Sequence, residues 1–320
     1  MASAIRIVVP DDDPAALRGT NVEDRLRRLG DLVIYDSLAP DPSDLAVRLK
    51  DARVTINIRS SSLFTAEVLS ACPGLKHIVV LGVGVDNVDL VACREKGILV
   101  TNTPGHSTDA VAEHAIALAL AVARRLNEND RAVREGEWAR HPIVQLSGKT
   151  LGVIGAGPIG MRMAALGRGL GMKVVAWTFN PTDERAKAMG APFLALDELM
   201  TISDVVSLHL PISDKSRGLI DINTLSLMKP DAILVNTARG AIVDESALAQ
   251  ALQRDQIGGA GLDAYMTEPL PLGHELGRLN NVILSPHNAA MTMEAGIRGL
   301  EMVAENIEAW LEGNPTNIIV

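Results

Sequence analysis

Apolar and polar positions along the chain follow two alternating patterns. Short runs that are apolar throughout, of strand length, are separated by segments in which apolar residues recur at helical spacing. This alternation is typical of parallel sheets joined by crossover helices. The runs form two series: IRIVVP, LVIYD, VTINI and HIVVLG before Gly148, and TLGVIG, KVVAW, DVVSLHL, AILVNTA, GAGLDA and VILSP after it. We therefore expect an α/β protein with two doubly wound parallel-sheet domains.

The segment between the two series, HSTDAVAEHAIALALAVARRL, predicts a long helix that Ser107 or Thr108 could cap. This helix is apolar on most of its circumference, which predicts burial between domains or between subunits. We therefore expect a homodimer built on the domain that holds the second sheet. Glu113 and His114, inside the helix, are interpreted as structural or interface residues.

The last segment of the chain predicts another strongly periodic helix, which ends near Gly313 and Pro315. Because it follows the last strand of the second series, we expect the chain to return there to the first domain. A length of 320 residues suits two domains of ordinary size. The expected domains are residues 1–101 plus 290–320 and residues 102–289, with the active site in the cleft between them.

Composition and charge exclude several classes of function. Apolar residues make up 47% and charged residues 22% of the chain, which predicts a protein that is globular throughout. A net charge of −9 argues against a nucleic acid or an anionic membrane as partner, because both require a dense basic face. We expect neither a membrane span nor a signal peptide, and therefore a cytoplasmic protein.

Cysteine and histidine spacing gives no sign of a metal site. Cys72 and Cys93 lie far apart and are interpreted as reduced thiols. The histidines outside the segments treated below share no spacing typical of metal ligands; they are His77, His106, His114, His141 and His274. We therefore expect no bound metal.

A glycine-rich turn, VIGAGPIG, begins the second series. A predicted strand leads into Gly155, Gly157 and Gly160, and a predicted helix follows. In this context the first glycine permits a tight turn, the second lets pyrophosphate approach the backbone, and the third lets helix pack on strand. The start of the helix then offers N–H groups and a positive dipole to the phosphates. The turn therefore predicts a dinucleotide site.

The next strand, KVVAW, ends without the Asp or Glu that usually holds the ribose of NAD. Thr178 stands in that place, and its hydroxyl and the Asn180 amide can still hydrogen-bond a ribose. Without a fixed negative charge they would not repel a 2′-phosphate. No Arg directly follows the strand, and the nearest, Arg185, lies a turn into the next helix. The sequence leaves the choice between NAD and NADP open.

Three later segments carry groups suited to redox chemistry on a hydroxy acid. Arg239 follows a buried strand in ILVNTARGAIVDESAL, Glu268 lies in GLDAYMTEPLP, and His287 follows the strand in VILSPHNAAMT. Ligands of open parallel sheets bind outside the carboxyl ends of the strands, and all three segments leave those ends. Alone, each residue has an ordinary structural interpretation, as an ion-pair partner, a loop carboxylate or a strand-end histidine. Their joint occurrence indicates a catalytic site.

These segments resemble those of the D-isomer-specific 2-hydroxyacid dehydrogenases. The resemblance extends over nearly the whole chain through LGVGVDNVDL, VTNTPGHSTDAVAEHAIALAL, GKTLGVIGAGPIG, NTARGAIVDESAL, GLDAYMTEP and LSPHNAAMT. It implies a flavodoxin-like substrate domain, a Rossmann cofactor domain, and Arg239, Glu268 and His287 as catalytic residues. Asp263 resembles the family's acid that contacts the nicotinamide carboxamide. The residues expected at the NAD or NADP cofactor are Gly155, Gly157, Pro158, Ile159, Gly160, Thr178, Asn180, His209, Pro211, Thr237, Ala238 and Asp263.

The chemistry of a 2-hydroxy acid explains these residue types. The fork of donors on Arg239 can bind the carboxylate and the C2 oxygen. His287 would take the hydroxyl proton in oxidation and return it in reduction. Glu268, hydrogen-bonded to the other ring nitrogen, would fix the tautomer and favour the protonated imidazole. We therefore expect mainly reduction of a 2-oxo acid.

The substrate is less closely specified than the reaction. The resemblance places the backbone N–H groups of Val83 and Gly84 at the substrate carboxylate. Phosphoglycerate dehydrogenases usually carry an Arg where Val80 stands, although Arg59 matches their RSA-like segment. We also expect no regulatory domain after Val320. These features favour a small acid such as glyoxylate or hydroxypyruvate over phosphoglycerate.

Two further functions stay open as alternatives. Formate dehydrogenases place Gln where Glu268 stands, so this carboxylate argues against that activity. A scaffold that senses a dinucleotide, like the corepressor relatives of this fold, would need a groove for a partner, and the sequence shows no recognisable one.

Overall fold

The computed structural model describes residues 5–58, 62–138 and 140–320. The chain forms two compact units. Unit 1 consists of Met1–Ser107 and Thr292–Val320, and unit 2 of Thr108–Met291. Arg59, expected at the substrate, lies outside the described residues.

The boundaries between the units fall a few residues later than the sequence suggested. Residues 102–107 belong to unit 1 because their backbone is bonded there: the amide of Thr103 donates to Gly82 O and that of Asn102 to Asn317 O. The final helix, Met293–Leu311, also belongs to unit 1 and begins with Thr292 as its N-cap.

Unit 1 contains a five-stranded parallel sheet. Its strands are β1 (Ile5–Val9), β2 (Gly30–Ile34), β3 (Val54–Asn57), β4 (His77–Val80) and β5 (Leu99–Thr101), in the order β2-β1-β3-β4-β5. Its helices are α1 (Asn21–Leu29), α2 (Pro42–Leu49), α3 (Ala66–Ser70), α4 (Leu90–Lys96) and, at the end of the chain, α12 (Met293–Leu311). This strand order is that of flavodoxin-like folds.

Strand β5 was not among the strands expected from the apolar runs. It is only three residues long and pairs with β4 on one side. On its other side the last residues of the chain bond to it, since the amide of Val100 donates to Val320 O and that of Ile319 to Val100 O. Backbone pairing on both sides stabilises a strand too short to stand out in the sequence.

Unit 2 contains a six-stranded parallel sheet. Its strands are β6 (Thr150–Ile154), β7 (Lys173–Trp177), β8 (Val205–Leu208), β9 (Ile233–Asn236), β10 (Gly259–Leu262) and β11 (Val282–Leu284), in the order β11-β10-β9-β8-β6-β7. Its helices are α5 (Thr108–Ala123), α6 (Leu126–Arg134), α7 (Pro158–Gly169), α8 (Asp183–Met189), α9 (Leu196–Ile202), α10 (Ile222–Ser226) and α11 (Glu245–Gln253). Two short 3₁₀ helices cover Gly240–Ile242 and Glu275–Arg278.

The Rossmann order of unit 2 is complete once a single bridge beside β7 is included. Phe193 forms a parallel bridge with Ala176, supported by hydrogen bonds from Ala176 N to Pro192 O and from Leu194 N to Ala176 O. This bridge occupies the place of the third strand in the order 3-2-1-4-5-6. Because this strand consists of a single residue pair, it is too short to appear in the sequence as an apolar run.

Helix α5 packs on the sheet of its own unit. Glycines in β10 make this possible: a Cβ atom at Gly261 would lie 2.7 Å from Cβ of Leu118, and one at Gly259 would meet Val122. Its buried side chains Ala115, Leu118, Ala119 and Ala123 belong to the core of unit 2, a covering that the sequence did not predict. Burial of α5 between domains or subunits stays a prediction. Among the described residues, no helix combines the length and apolar character that spanning a membrane requires.

Candidate active site

The glycine turn between β6 and α7 has the geometry of a dinucleotide cradle. Gly155 adopts φ +111°, and a side chain there would collide with the carbonyl of His209. A Cβ atom at Gly157 would meet nothing within 4 Å, so the space in front of it is open. A Cβ atom at Gly160 would collide with Gly155 O, so only glycine lets α7 pack this closely. Gly155 therefore permits the tight turn, Gly157 leaves room for a pyrophosphate, and Gly160 permits close packing of the helix.

The start of α7 adds N–H groups to this cradle. Gly157 is the N-cap and Pro158 the first helical residue, followed by Ile159, and no side chain caps the helix. The first amides of a helix lack partners within the helix and carry its positive end. The residues present here therefore fit the phosphates of a dinucleotide.

Other expected cofactor residues lie at the ends of β7, β8 and β9. Thr178 directly follows β7 and is only 8% exposed, with Asn180 two residues later. His209 follows β8, contacts Ser207 Oγ through Nε2 at 2.9 Å, and has its pKa lowered to about 3 by burial, so the ring is neutral. Pro211 lies two residues further on and accepts a hydrogen bond at its carbonyl from Ser216 Oγ.

Thr237 and Ala238 follow β9, and the two differ in their bonding. The Ala238 amide donates to Asn236 Oδ1 at 3.0 Å. The hydroxyl of Thr237 is buried and has no hydrogen-bond partner among the described residues. A buried polar atom without a partner is costly, and it is the kind of group that a bound molecule satisfies.

Two hydrogen bonds hold Arg239 in place, one to its backbone carbonyl and one from its guanidinium. The side-chain amide of Asn236 donates to Arg239 O at 3.0 Å, and Arg239 Nη1 donates to Ala238 O at 2.8 Å. A Cβ atom at Gly240 would overlap the backbone of Tyr265 and Met266. Gly240 therefore lets the loop that carries Arg239 lie directly against the loop that leads to Glu268.

Glu268 and His287 form a hydrogen-bonded pair. Nδ1 of His287 lies 2.7 Å from Oε2 of Glu268, and the other carboxylate oxygen accepts the amide of Tyr265 at 3.0 Å. Burial raises the pKa of Glu268, but the bonds from His287 and Tyr265 and the charge of Arg239 outweigh it, so the pKa is lowered overall. Glu268 is consequently ionised near neutral pH, and the Nε2 edge of His287 is left for another group.

The backbone of His287 adopts φ +49°, a left-handed conformation that is uncommon for a residue other than glycine. The buried carboxylate of Asp263 anchors the loop around it. It accepts the amides of Asn288 and Ala289, both at 3.0 Å, and the Ser285 hydroxyl at 2.6 Å. Contacts before and after His287 thus fix the position of the imidazole.

Three residues that support this site were not identified from the sequence. Asn236 fixes the Arg239 loop, Ser285 joins Asp263, and His114 in α5 contacts Ser285 Oγ through Nε2 at 2.9 Å. Asn236 and Ser285 stand within the motif segments, which is the only signal the sequence offers for them. His114 was interpreted as structural, and its position opposite Ser285 depends on the packing of α5.

The expected substrate loop follows β4 in unit 1. Val83 is 49% exposed, and its carbonyl accepts the side-chain amide of Asn102 at 2.8 Å. The structure gives the amides of Val83 and Gly84 no acceptor among the described residues. Two adjacent N–H groups of this kind can bind a carboxylate.

The groups of unit 2 suit proton transfer next to a bound acid. A guanidinium, a carboxylate and an imidazole converge from the segments after β9, β10 and β11. Across the described part of the chain, no cluster of three or more His, Cys, Asp or Glu side chains is arranged to hold a metal ion.

Comparison with known proteins agrees with this geometry. Residues 116–289 match the family profile described as D-isomer specific 2-hydroxyacid dehydrogenase, NAD binding domain. The chain is 40% identical over 305 residues to a glyoxylate reductase of Aeropyrum pernix, which covers 92% of this chain and 91% of that one. It is 42% identical over 262 residues to a D-3-phosphoglycerate dehydrogenase of Archaeoglobus fulgidus, covering 81% of this chain but only 50% of that protein.

A solved structure shows the same similarity. The TT0316 protein of Thermus thermophilus superposes with a TM-score of 0.89 at 40% identity, covering 99% of this chain and 100% of that one. The expected α/β fold and the expected oxidoreductase class are confirmed, and the profile that matches residues 116–289 is that of an NAD binding domain, as expected for a nicotinamide cofactor. The chain belongs to the D-isomer specific 2-hydroxyacid dehydrogenase family.

Proposed function

We propose that this protein reduces a small 2-oxo acid of the glyoxylate or hydroxypyruvate type, using NADH or NADPH. The observation that carries this proposal is the hydrogen bond between Glu268 and His287 beside Arg239. When bound, the nicotinamide supplies the hydride to C2 of the acid. The residues of the chain then have to bind the acid and deliver one proton.

Arg239 binds the acid in this mechanism. Its guanidinium is half-buried and is positioned by the bond from Nη1 to Ala238 O. A guanidinium carries five N–H donors in a planar fork, a shape that can span a carboxylate and a C2 oxygen. Its positive charge polarises the carbonyl as negative charge develops on oxygen. The amides of Val83 and Gly84 are the expected further donors to the carboxylate.

His287 donates the proton through Nε2. Its Nδ1 is bonded to the ionised Glu268, which fixes the tautomer and stabilises the imidazolium. After transfer, the neutral ring retains its hydrogen bond to Glu268 and can be protonated again from solvent, since the side chain is 42% exposed.

Phosphoglycerate dehydrogenase activity is the second candidate, supported by the 42% identity to the Archaeoglobus fulgidus enzyme. Against it, Val80 stands where those enzymes usually carry an Arg. A valine at this position favours an acid without a phosphate.

The experiment is consumption of NADH or NADPH by the purified protein with glyoxylate, hydroxypyruvate, pyruvate and 3-phosphohydroxypyruvate. We expect kcat/KM for glyoxylate or hydroxypyruvate to exceed that for the phosphorylated acid by about 10-fold or more, the effect of one missing charge-assisted contact. Preference for the phosphorylated acid would establish the second candidate. No turnover with any acid, while the cofactor still binds, would instead favour a dinucleotide-sensing scaffold.

We also propose that the protein is a homodimer joined through unit 2. Helix α6 buries none of its residues, and large apolar side chains on it and on the following segment are exposed: Leu126, Val133, Trp138 and Ile143. A run of exposed apolar side chains is typical of a protein interface. Light scattering should give twice the mass of the chain, and a monomeric mass would refute the dimer. A cytoplasmic location stays a prediction from the sequence.

A further inference from the structure

The loop after β7 lies where a Rossmann domain usually selects between the two nicotinamide cofactors. The selecting group is commonly an acid that bonds the 2′-hydroxyl of NAD, and an Arg nearby can instead accommodate the 2′-phosphate of NADP. Thr178 occupies the place of the acid; it is buried and uncharged. The carboxylate that would repel a 2′-phosphate is therefore absent at this position. NADP binding also requires a cation that can pair with the phosphate.

Arg185 supplies a cation at this place although it lies in the first turn of α8. Its side chain runs back from the helix toward the glycine turn. Nη1 donates to Asn180 O at 2.5 Å, and Nη2 donates to Ala156 O at 3.2 Å. One guanidinium thus joins the loop after β7 to the middle of the Gly155–Gly157 turn, which the spacing along the sequence did not suggest.

The charge on Arg185 is available to an anion. Within the part of the chain that the structure describes, no carboxylate forms an ion pair with it. The carboxylate next to it in sequence, Glu184, bonds instead to the start of α8, where a backbone N–H and Thr182 lower its pKa. The two carbonyl contacts use two of the five N–H donors of the guanidinium, and three remain.

A purely structural role for Arg185 is the alternative, and another arginine shows what that role looks like. Arg168 in α7 also donates to two backbone carbonyls, those of Met189 and Gly190, at 2.8 and 3.4 Å. Its contacts are at the opposite end of α8 from the glycine turn. The contact to Ala156 O is what distinguishes Arg185, because it places the cation beside the turn that fits a dinucleotide.

We propose that Arg185 binds the 2′-phosphate of NADPH and that the protein consequently prefers NADPH to NADH. This inference rests on the proposed function only for the presence of a dinucleotide in the site. The guanidinium keeps its place between the two loops and directs its free donors at the phosphate. Thr178 contributes by carrying no negative charge.

Titration calorimetry tests the proposal without any substrate. The purified protein and its Arg185→Gln variant are each titrated with NADPH, NADH and adenosine 2′,5′-bisphosphate. We expect the native protein to bind NADPH about 10-fold or more tightly than NADH, as one charge-assisted hydrogen bond supplies. In Arg185→Gln, affinity for NADPH and for the bisphosphate should fall about 10-fold or more, and affinity for NADH should change by less than about 3-fold.

Two further variants separate recognition from folding. Arg168→Gln removes the same kind of carbonyl clamp and should leave the ratio of the two affinities unchanged. Arg185→Lys keeps the charge and should retain part of the preference for NADPH. Equal loss of NADH and NADPH binding in Arg185→Gln, or equal affinity for both cofactors in the native protein, would overturn the inference.

The outcome is distinguishable from failure of the proposed function. If NADPH binds in an Arg185-dependent way but no 2-oxo acid is reduced, the proposed function fails and the inference stands. If glyoxylate is reduced equally well with both cofactors, before and after Arg185→Gln, the inference fails and the proposed function stands.

Discussion

Nδ1 of His287 lies 2.7 Å from Oε2 of Glu268, and the pKa of the carboxyl is lowered overall by this bond, by Tyr265 N–H and by Arg239 against the effect of burial. The two residues come from different loops, one after β10 and one after β11. Each can be changed separately, which distinguishes delivery of the proton from stabilisation of its donor.

Replacing His287 by Asn should abolish most proton transfer. We expect kcat for reduction to fall about 100-fold or more, because general acid catalysis contributes that much. Affinity for the cofactor, measured by titration calorimetry, should change little. His274→Asn is the matched control, because His274 also faces a glutamate, Glu245, at 3.7 Å. Normal turnover by the His287 variant would remove this residue from the mechanism.

Replacing Glu268 by Gln should slow the delivery of the proton. The pKa of Glu268 is lowered, so the native side chain is an ionised carboxylate that pairs with Nδ1 of His287, and an amide of the same size lacks that charge. We expect kcat for reduction to fall about 10-fold, the scale of one hydrogen bond to a charged group, with KM for the acid little changed. Glu245→Gln alters the other Glu–His pair and should leave kcat unchanged; a native kcat in Glu268→Gln would contradict the assignment.

Replacing Ser285 by Ala should act through position rather than chemistry. It removes the hydroxyl that lies 2.6 Å from Asp263 Oδ1 and 2.9 Å from His114 Nε2. We expect kcat to fall about 10-fold with KM for the acid little changed, the scale of one hydrogen bond to a charged group. Ser285→Thr should restore most of kcat, and Ser226→Ala, at an exposed serine, should have no effect. A rise in KM with kcat unchanged would contradict a positioning role.

Replacing Thr178 by Asp should move cofactor use toward NADH. A carboxylate at the end of β7 repels a 2′-phosphate, so KM for NADPH should rise about 10-fold while KM for NADH changes little. Thr178→Asn, which adds similar bulk without charge, is the control. If NADPH use is undiminished in the Asp variant, Thr178 does not contribute to selection.

Stability should depend on pH through His77. Burial lowers its pKa to about 3 from 6.5, so the folded ring is neutral while the unfolded chain takes up a proton below pH 6.5. Stability contributed by the neutral ring is present above that pH and is lost as pH falls toward 3, at about 1.4 kcal/mol per pH unit. The difference in Tm between pH 7 and pH 5 should therefore be smaller in His77→Gln. His141→Gln, at an exposed histidine, should match the native protein.

The sequence could predict the elements whose signal is local. Every apolar run in the sequence forms a strand, and the spacing of Gly155, Gly157 and Gly160 predicted a turn in which a side chain at Gly155 or Gly160 would collide with the backbone. Arg239 and His287 were identifiable because each lies three residues after the end of a strand that an apolar run predicts. Such features need no knowledge of which strands are neighbours.

Features that depend on distant packing could not be predicted. Strand β5 and the bridge at Phe193 are stabilised by partners elsewhere in the chain, not by their own apolar length. The position of Arg185 could not be predicted for the same reason. Sequence spacing places the residue in the first turn of α8, but it does not show that the side chain extends back to Ala156 O. The apolar surface of α5 predicted burial but could not identify the covering sheet.

The anchoring of the His287 loop to Asp263 bears on the energetics of the chemical step. Because contacts at residues 285, 288 and 289 hold the segment from both sides, the imidazole has little freedom to lose when a substrate arrives. The free-energy cost of the left-handed backbone at His287 is met when the protein folds and does not recur in each catalytic cycle. The donor is thus preorganised: the entropy of orienting it and the reorganisation of its surroundings are removed from the activation barrier.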